Sequence, residues 1–521
     1  MNQQAIISDA VLKKITGIVG PDGLSQQPSD IFSYSRDLWP KSIIWLKEHR
    51  IPYPPEAIVW PSTEAQVVDL VKLAIEANFP LIPFGAGSGV CGGTLPTRGG
   101  IVLDVKKLNH ISEPDPLSMT AEFGPGAIGQ LAEMEMDRQG YTIGHFPSSI
   151  YCSSVGGWIA ARGAGQESSR YGKIEDMVVS LRFVTGDGDL IDTADCGTPD
   201  QINAFNQLII GSEGTQGVII GTVLRINKKP EVILSRGTVF SDVASGLDAM
   251  RKLFRIGLRP TVARLYDEFD TIVGFGKGKM EKDDKPKKEK KPRNGLIQRY
   301  MDELFVPGEL TETVLRNMLG APTLLNKVAN FLPGGCMLVT VFSGNDRAIL
   351  EAEAKAAEEI FRECGGKDQG EAPGKHWLKR RHAVSYKQSK IFHSGGFVDT
   401  MEVAAPWDMI VQLYREVKKA VSPHAFIMAH FSHAYVDGCC IYFSFVGVRK
   451  EGEASSLYDR IWDAAQGAVA SCGATVSHHH GIGISKARFL PGQHAGGVEY
   501  YQAIKSAFDP KKIMNPGKVI L

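Results

Sequence analysis

The feature that most constrains the fold is a glycine-rich segment, PFGAGSGVCGG, placed between two short apolar runs. Glycines occupy positions 85, 87, 89, 92 and 93, and without side chains their backbone N–H groups can approach an anion closely. The segment predicts either a loop that holds a diphosphate or a plain glycine-rich turn. It is not a Rossmann motif, because no regular helix with an acidic residue about twenty positions on follows it. It also lacks the Gly-Lys-Ser/Thr of a P-loop.

Two further segments of small residues follow in the same half of the chain. They are PSSIYCSSVGGWIAARGAGQESSRYGKIEDMVV, from Pro147 to Val179, and GSEGTQGVI, from Gly211 to Ile219. Short β-branched runs alternate with helical patterns around them, as in α/β domains, and Thr63 with Gln66 resembles a helix capping box. We interpret three such loops in one α/β half as the binding site of a long, extended cofactor.

Composition excludes several classes of protein. A chain of 521 residues with 43% apolar and 22% charged residues is typical of a globular protein with two or more domains. Its 58 basic and 58 acidic residues balance, so no overall field favours nucleic acid. None of the eight cysteines forms a C-x-x-C pair, which argues against an iron–sulfur cluster and a cysteine zinc site.

The same features bear on location. Scattered cysteines without a disulfide framework are typical of a reducing compartment. The first twenty residues lack the charged and apolar regions of a signal peptide, and no run of eighteen apolar residues occurs. We therefore expect a cytoplasmic protein without a transmembrane segment.

From about Pro230 the pattern changes to strand, turn and long helix, which predicts a second, α+β domain. Within it, the lysine-rich segment at about 277–294 predicts a solvated, mobile loop. The alternative is a basic patch for a membrane surface or another anionic partner. The last stretch, FDPKKIMNPGKVIL, predicts a return of the chain to the first domain.

The order and spacing of these motifs carry a resemblance. The three glycine segments and the closing FDPKKIMNPGK resemble the FAD-binding domain of the vanillyl-alcohol oxidase / para-cresol methylhydroxylase superfamily, over residues 20–521. The resemblance implies an α+β fold with a PCMH-type FAD-binding domain of two α/β subdomains at 1–228. It further implies a cap or substrate domain at 229–465, an antiparallel sheet covered by helices, and a segment returning to the FAD domain at 466–521.

The cofactor implied is FAD, and we expect it to be held non-covalently, since His145 in GHFPSS establishes no linkage. The first loop matches the superfamily's pyrophosphate loop, the second lines the flavin and its ribityl-phosphate, and the third closes over the cofactor. The residues expected to bind FAD are Pro83, Gly85, Ala86, Gly87, Ser88, Gly89, Pro147, Ser148, Ser149, Ser153, Ser154, Gly156, Gly157, Ala160, Gly163, Tyr171, Glu213, Gly214, Gly217, Val218 and Ile219.

Two branches of the superfamily are similar to this chain. GHFPSS, VGGWIAARG, APWD, CCIYFSF and SHHHGIG are similar to alkyldihydroxyacetonephosphate synthase. FDPKKIMNPGK, HWLKRRHAVS and the N-terminal segment resemble FAD-linked D-lactate and glycolate dehydrogenases. Those dehydrogenases carry a Glu-His-Gly where this chain has His479-His480-Gly481.

The resemblance also implies catalytic residues. The synthase's tyrosine falls on Tyr442 and its histidines on His478, His479 and His480, which would face the reactive edge of the flavin. Histidine titrates near the operating pH, so His479 or His480 is the expected base, with Tyr442 assisting. Two alternatives give these residues no catalytic role. Tyr442 would be a core tyrosine in the apolar run CIYFSFVGV, and at least one of the three histidines would be structural.

An anionic substrate also needs a cation. The synthase's arginine aligns with Gln388, so Arg264, Arg380 or Arg381 is the expected anion clamp, with partial substitution by Lys387 or Lys390 as an alternative. A metal held by His430 and His433 is a further alternative, but no carboxylate accompanies these histidines in the sequence and no metal is expected.

These residues predict an FAD-dependent oxidoreductase that oxidises a hydroxyl-bearing carbon of a small anionic substrate of the 2-hydroxy acid type. The alternatives are alkylglycerone-phosphate (alkyl-DHAP) synthase of ether-lipid synthesis and the flavin subunit of an electron-transfer complex. Expected partners are the small anionic substrate, an electron-acceptor protein or quinone, a second copy of the chain in a homodimer, and at most peripheral contact with a membrane.

Overall fold

The computed structural model of the chain describes residues 7–275, 319–330, 335–383, 391–392, 396–448 and 452–520. The chain forms two compact units. Unit 1 comprises Met1–Gly165, Tyr171–Lys229 and His479–Leu521, and unit 2 comprises Gln166–Arg170 and Pro230–His478. The lysine-rich segment at 277–294 and residues Lys387, Gln388 and Lys390 lie outside the described residues.

The strands of unit 1 form three sheets. In chain order these strands are β1 (Leu24–Ser25), β2 (Ala57–Val59), β3 (Leu81–Phe84), β4 (Ile101–Asp104), β5 (Thr120–Phe123), β6 (Tyr141–Thr142), β7 (Val178–Thr185), β8 (Leu190–Asp192), β9 (Gly217–Arg225) and β10 (Asn227–Lys228). The first sheet has the order β1-β2-β4-β3, with β2 and β3 both parallel to β4. The second has the order β5-β9-β7-β8 and is antiparallel, and β10 pairs with β6.

The first part of the chain also contains nine of the described helices. They are α1 (Asp9–Val19), α2 (Pro28–Tyr34), α3 (Pro40–Lys47), α4 (Glu64–Ala77), α5 (Gly129–Arg138), α6 (Val155–Ala160), α7 (Ser168–Tyr171), α8 (Ile174–Met177) and α9 (Pro199–Ile209). In α4, Val67, Leu70, Val71 and Ala74 fall at helical spacing and join one hydrophobic core with the strands of the first sheet.

The described part of unit 2 is built on an antiparallel sheet of seven strands. The strands are β11 (Val232–Phe240), β12 (Val262–Tyr266), β13 (Cys336–Gly344), β14 (Lys367–Asp368), β15 (Gly396–Pro406), β16 (Phe426–Ala434) and β17 (Gly438–Val448), in the order β14-β11-β13-β12-β16-β17-β15. Strand β16 is buried along its whole length, so it forms part of the centre of the unit.

Helices accompany this sheet: α10 (Val243–Arg255), α11 (Glu268–Phe275), α12 (Pro322–Asn330), α13 (Arg347–Glu363), α14 (Ala372–Arg380), α15 (Ile410–Val421) and α16 (Ala454–Ser471). The chain then returns to unit 1 with α17 (Leu490–Gln493) and α18 (Val498–Phe508). Among the helices that the structure describes, none is long and apolar enough to cross a membrane.

The second change of unit falls later in the chain than the sequence predicts. Residue 465 lies inside α16, and the chain leaves unit 2 only between His478 and His479. The reason is that α16 contributes buried side chains to unit 2, and Trp462 donates its indole N–H to Asp399 of β15 at 3.0 Å. The first change, at Lys229, lies beside the predicted position 228.

Candidate functional site

The first glycine loop of unit 1 leaves β3 after Phe84. Gly87 and Gly92 adopt positive φ angles of 64° and 74°, which favour glycine. A Cβ added at Gly85 would lie 2.3 Å from Ser154 Oγ, so this position tolerates no side chain. Within the described part of the chain, the N–H groups of Ala86, Gly87, Ser88 and Gly89 donate no hydrogen bond. Four consecutive free donors in a half-buried loop fit a diphosphate group.

The second segment packs closely against this loop. Ser154 is the N-cap of α6, and its Oγ accepts a hydrogen bond from Gly157 N at 3.3 Å. Ser153 Oγ accepts the indole N–H of Trp158 at 2.8 Å. A Cβ at Gly156 would meet Pro125 at 2.6 Å. The small residues that the sequence singled out therefore allow α6 to begin next to the first loop.

The other predicted cofactor residues of this segment lie around α6. Pro147, Ser148 and Ser149 belong to the turn before Ser153, in which the backbone oxygen of Ser149 accepts from Cys152 N at 2.8 Å. Ala160 ends α6, and Gly163 N donates to the backbone oxygen of Trp158 at 2.8 Å. The ring of Tyr171 instead packs under Gly144, where an added Cβ would lie 2.7 Å from it.

The third segment divides into two parts. Gly214 has a φ of 72° and lies against Pro83, the last proline before the first loop. Gly217, Val218 and Ile219 begin strand β9 instead. The side chains of Val218 and Ile219 lie in the two large hydrophobic cores of unit 1, with 1% and 8% exposure, so they cannot line an open cradle.

Glu213 directs its carboxylate at the backbone of unit 1. Its carboxylate accepts hydrogen bonds from Ile482 N at 2.5 Å and from Gly483 N at 2.9 Å, in the segment that follows the three histidines. Asn515 Nδ2 donates to the backbone oxygens of Glu213 and Gly93, at 2.7 and 2.8 Å. The carboxylate of Glu213 is therefore hydrogen-bonded to the protein backbone.

The three histidines divide between the two units. In unit 2, the His478 ring lies 5.4 Å from His433 and 5.8 Å from Tyr435, between ring centroids. In unit 1, the His479 and His480 rings lie 4.6 Å apart at an angle of 70°.

A buried glutamate that the sequence analysis missed holds the first of these histidines. Glu402 on β15 is fully buried and accepts hydrogen bonds from His478 N at 2.7 Å and Ser477 Oγ at 2.8 Å. It stands in the run TMEVAAP, where a carboxylate in an otherwise buried strand is the only sequence signal.

Unit 2 also brings together a polar cluster around Arg264. Arg264 Nη2 lies 2.5 Å from His430 Nε2, and His430 Nδ1 lies 3.0 Å from Asp270 Oδ2. A guanidinium can only donate, so Nε2 accepts and the imidazole proton sits on Nδ1, which donates to Asp270. The His430 ring stacks on Tyr442, with centroids 4.9 Å apart and planes 13° apart. Tyr442 OH accepts from Thr400 Oγ1 at 3.2 Å.

The protonation states within this cluster agree with that arrangement. Burial, with help from the Arg264 charge, holds the pKa of His430 well below its ordinary value, so the ring is neutral. Burial raises the pKa of Asp270 to about 6, against the opposing charges of Arg264 and Lys418. Burial also raises the pKa of Tyr442 above its ordinary value, which keeps the phenol protonated.

Arg381, the other arginine expected to hold an anion, is already paired. Its guanidinium forms a buried salt bridge with Glu167, and its backbone oxygen accepts from Gln166 Nε2 at 3.1 Å. Burial raises the pKa of Glu167, and the Arg381 charge opposes that rise. Among the described ion pairs of unit 2, Arg264 has no carboxylate partner of its own, which makes it the better candidate for a substrate anion.

A loop of free N–H groups beside a tightly packed set of small residues defines a protein that binds a phosphate-bearing cofactor. The family comparisons identify that cofactor as FAD. Residues 55–194 match the FAD binding domain family, and residues 229–519 match the family of FAD linked oxidases, C-terminal domain. The chain belongs to the FAD-linked oxidase family.

Curated relatives extend over nearly the whole chain. Alkyldihydroxyacetonephosphate synthase of Trypanosoma brucei brucei is 28% identical over 498 residues, covering 93% of this chain and 75% of that protein. Glycolate oxidase subunit GlcD of Bacillus subtilis (strain 168) is 23% identical over 521 residues, covering 99% of this chain and 97% of that protein.

Solved structures share the fold. An alkyldihydroxyacetonephosphate synthase matches with a TM-score of 0.76 at 24% identity, over 98% of this chain and 85% of that one. Substrate-bound p-cresol methylhydroxylase matches with a TM-score of 0.70 at 16% identity, over 99% of this chain and 98% of that one. The predicted fold class and FAD cofactor are thereby confirmed.

Proposed function

We propose that this FAD-dependent oxidoreductase oxidises a hydroxyl-bearing carbon of a small anionic substrate of the 2-hydroxy acid type. The observation that carries the proposal is Arg264, whose guanidinium is hydrogen-bonded to a neutral imidazole and forms no ion pair with a carboxylate among the described residues. The charge of Arg264 and the protonated phenol of Tyr442 together suit a substrate that bears both a carboxylate and a hydroxyl. Similarity to a glycolate oxidase subunit supports the same substrate class.

The residues of the chain take the following roles in this proposal. Arg264 binds the substrate carboxylate through its planar fork of N–H donors. Tyr442, kept protonated by burial, donates a hydrogen bond to a substrate oxygen. His479 or His480 accepts the hydroxyl proton at a ring nitrogen. When bound, FAD supplies the acceptor for the hydride that leaves the carbon, and the first glycine loop with Ser154 and Gly157 would hold its diphosphate.

Anaerobic mixing with a panel of 2-hydroxy acids tests the proposal. Loss of the flavin absorbance band with one member of the panel is the expected result, and Arg264→Gln should lower kcat/KM for it by about 10- to 100-fold, the value of a charge-assisted hydrogen bond. The matched control is Arg236→Gln, because Arg236 forms its ion pair with Asp368 at the surface of the same unit. Equal effects of both variants, or no bleaching by any acid, would reject the substrate class.

The second candidate is alkylglycerone-phosphate synthase. It is favoured by the similarity to the trypanosomal synthase along 93% of the chain. In this reading Arg264 would hold a phosphate, and the flavin would show no lasting bleaching. Release of a fatty acid from an acyl-dihydroxyacetone phosphate in exchange for a fatty alcohol would select the synthase over the dehydrogenase.

A further inference from the structure

We infer that Glu213 is a positioning residue, whose carboxylate holds the turn after His479 and His480 and ties that turn to the cofactor loops of unit 1. The inference goes beyond direct cofactor contact, the role that the sequence suggested for Glu213. Its consequence for proton transfer rests on the proposed function, in which one of the two histidines is the base. Its consequence for FAD binding is independent of the proposed function.

Both oxygens of the Glu213 carboxylate accept hydrogen bonds from the backbone. Oε1 accepts from Ile482 N at 2.5 Å and from Gly483 N at 3.2 Å, while Oε2 accepts from Gly483 N at 2.9 Å. Gly481 and Gly483 adopt φ angles of 80° and 53°, so the backbone turns sharply to present both N–H groups. A Cβ at Gly481 would lie 2.9 Å from Oε1, which shows how closely the carboxylate fills the turn.

The same turn is joined to the first glycine loop. The backbone oxygen of Cys91 accepts from Ile484 N at 2.9 Å and from Ser485 N at 3.1 Å. A Cβ at Gly483 would lie 2.1 Å from that oxygen. Asn515 adds the link from Gly93 to the backbone of Glu213. A shift of the Glu213 side chain would therefore displace both the segment that follows the histidines and the first glycine loop.

The charges around Glu213 explain why a carboxylate can sit there. Burial raises the pKa of Glu213, whereas the N–H groups of Ile482 and Gly483 and the ammonium groups of Lys486 and Lys518 oppose that rise. Both lysines are themselves almost fully buried. Replacing the carboxylate by an amide would direct an NH2 group at a backbone N–H, so at least one of the present N–H···O hydrogen bonds would be lost.

Glu213→Gln tests the inference, and Glu133→Gln is its matched control. Glu133 is also a buried glutamate of unit 1 that accepts from a backbone N–H, that of Ile143 at 3.0 Å, and from the Thr142 hydroxyl. We expect amide hydrogen exchange to accelerate about tenfold at 482–483 in Glu213→Gln and at 143 in Glu133→Gln. Only Glu213→Gln should also raise the Kd for FAD, by about tenfold, in fluorescence titrations of the apoprotein.

A second variant and a second readout keep the test decisive. Gly481→Ala displaces the carboxylate from the opposite side and should reproduce the loss of FAD affinity even where Glu213→Gln folds poorly. The NMR titration of the His479 and His480 ring protons should shift by at least about half a pH unit in both variants, because the turn that carries the rings moves. Glu213→Asp, which keeps the charge, should restore part of both effects.

The outcomes separate this inference from the proposed function. Failure of every 2-hydroxy acid to reduce the flavin rejects the proposed function and leaves the exchange, affinity and titration data to decide on Glu213. Faster exchange at 482–483 with unchanged FAD affinity and unchanged histidine titration would overturn the inference and reduce Glu213 to a purely structural residue.

Discussion

His145 lies fully buried beside Trp158, with ring centroids 4.6 Å apart. Within the described residues, neither of its ring nitrogens has a hydrogen-bond partner. Burial lowers the pKa of His145 to about 3, so the folded protein keeps the ring neutral near neutral pH. In the sequence, His145 bore only on the question of flavin attachment, and no linkage was expected there. Its burial makes it a source of acid sensitivity.

The sign of that sensitivity follows from linkage. Between pH 6.5 and 3, His145 binds a proton in the unfolded chain but not in the folded chain. The free energy of unfolding therefore falls as the pH falls. The loss from this one group is about 2 kcal/mol between pH 7 and pH 5. Urea unfolding at both values should show a smaller pH-dependent loss in His145→Asn. The exposed His110→Asn should retain the full loss, and identical losses in all three proteins would refute the assignment.

Residues whose role depends on a partner far away in the sequence were the ones that the sequence did not reveal. Tyr442 and the histidine run were proposed because a family resemblance pointed to them, and Arg264 was proposed because an anionic substrate needs a cation. Asp270, Glu402 and Glu167 were missed, because a carboxylate's role depends on what lies across a sheet or turn. Glu402 meets its backbone donor 76 positions away, and no periodicity within either segment reports that contact.

At the level of secondary structure, local patterns were informative. Thr63 caps α4 by accepting from Gln66 N at 3.2 Å, as predicted, although the Gln66 side chain accepts from Ser62 N at 2.7 Å and so departs from the full capping box. Strands β7 and β8 pair around the Gly-Asp-Gly turn. Sheet register was not predictable: the antiparallel pairing of β16 and β15 with β17 sets Tyr442 opposite both His430 and Glu402.

The close approach of the first glycine loop to α6 gives a test at this scale. Gly85→Ala places a methyl group 2.3 Å from Ser154 Oγ and 3.5 Å from Ser154 Cβ. Overpacking of this size should raise the Kd for FAD roughly tenfold. Removing the hydroxyl in the double variant Gly85→Ala/Ser154→Ala leaves an ordinary carbon–carbon contact, so the affinity should return to that of Ser154→Ala alone.

Fluorescence titration of the four apoproteins measures this cycle. Ser154→Ala by itself loses the N-cap of a short helix, at about 1 kcal/mol in stability. Gly17→Ala serves as the glycine control, because nothing lies within 4 Å of the added Cβ. Strictly additive effects at positions 85 and 154 would show that the two loops do not constrain each other.

For the molecule as a whole, the sequence predicted the class of fold. The pattern of strands and helices changes at about Pro230, beside the end of a segment of unit 1 at Lys229. The contacts that complete the cofactor loops could not be placed. Glu213 and Ile482 are 269 positions apart, and only the folded chain brings them together.

Binding of FAD should be visible as a stabilisation confined to one unit. At a free FAD concentration of 100 times Kd, the free energy of unfolding of unit 1 should rise by about 2.7 kcal/mol. Hydrogen exchange should slow in the loops at 85–93, 153–163 and 213–217, with little change along β11 and β13 of unit 2. Protection that spreads evenly over β11 and β13 would contradict the placement of the cofactor in the glycine loops.

Five residues, Gln166–Arg170, belong to unit 2 although their neighbours on both sides belong to unit 1. They bring Glu167 to Arg381 and Ser168 Oγ to within 2.8 Å of His433 Nδ1. A gene fragment encoding only 230–478 would therefore produce a unit deprived of the carboxylate and hydroxyl that these two buried side chains contact. Neither unit can be exchanged between proteins as one uninterrupted cassette.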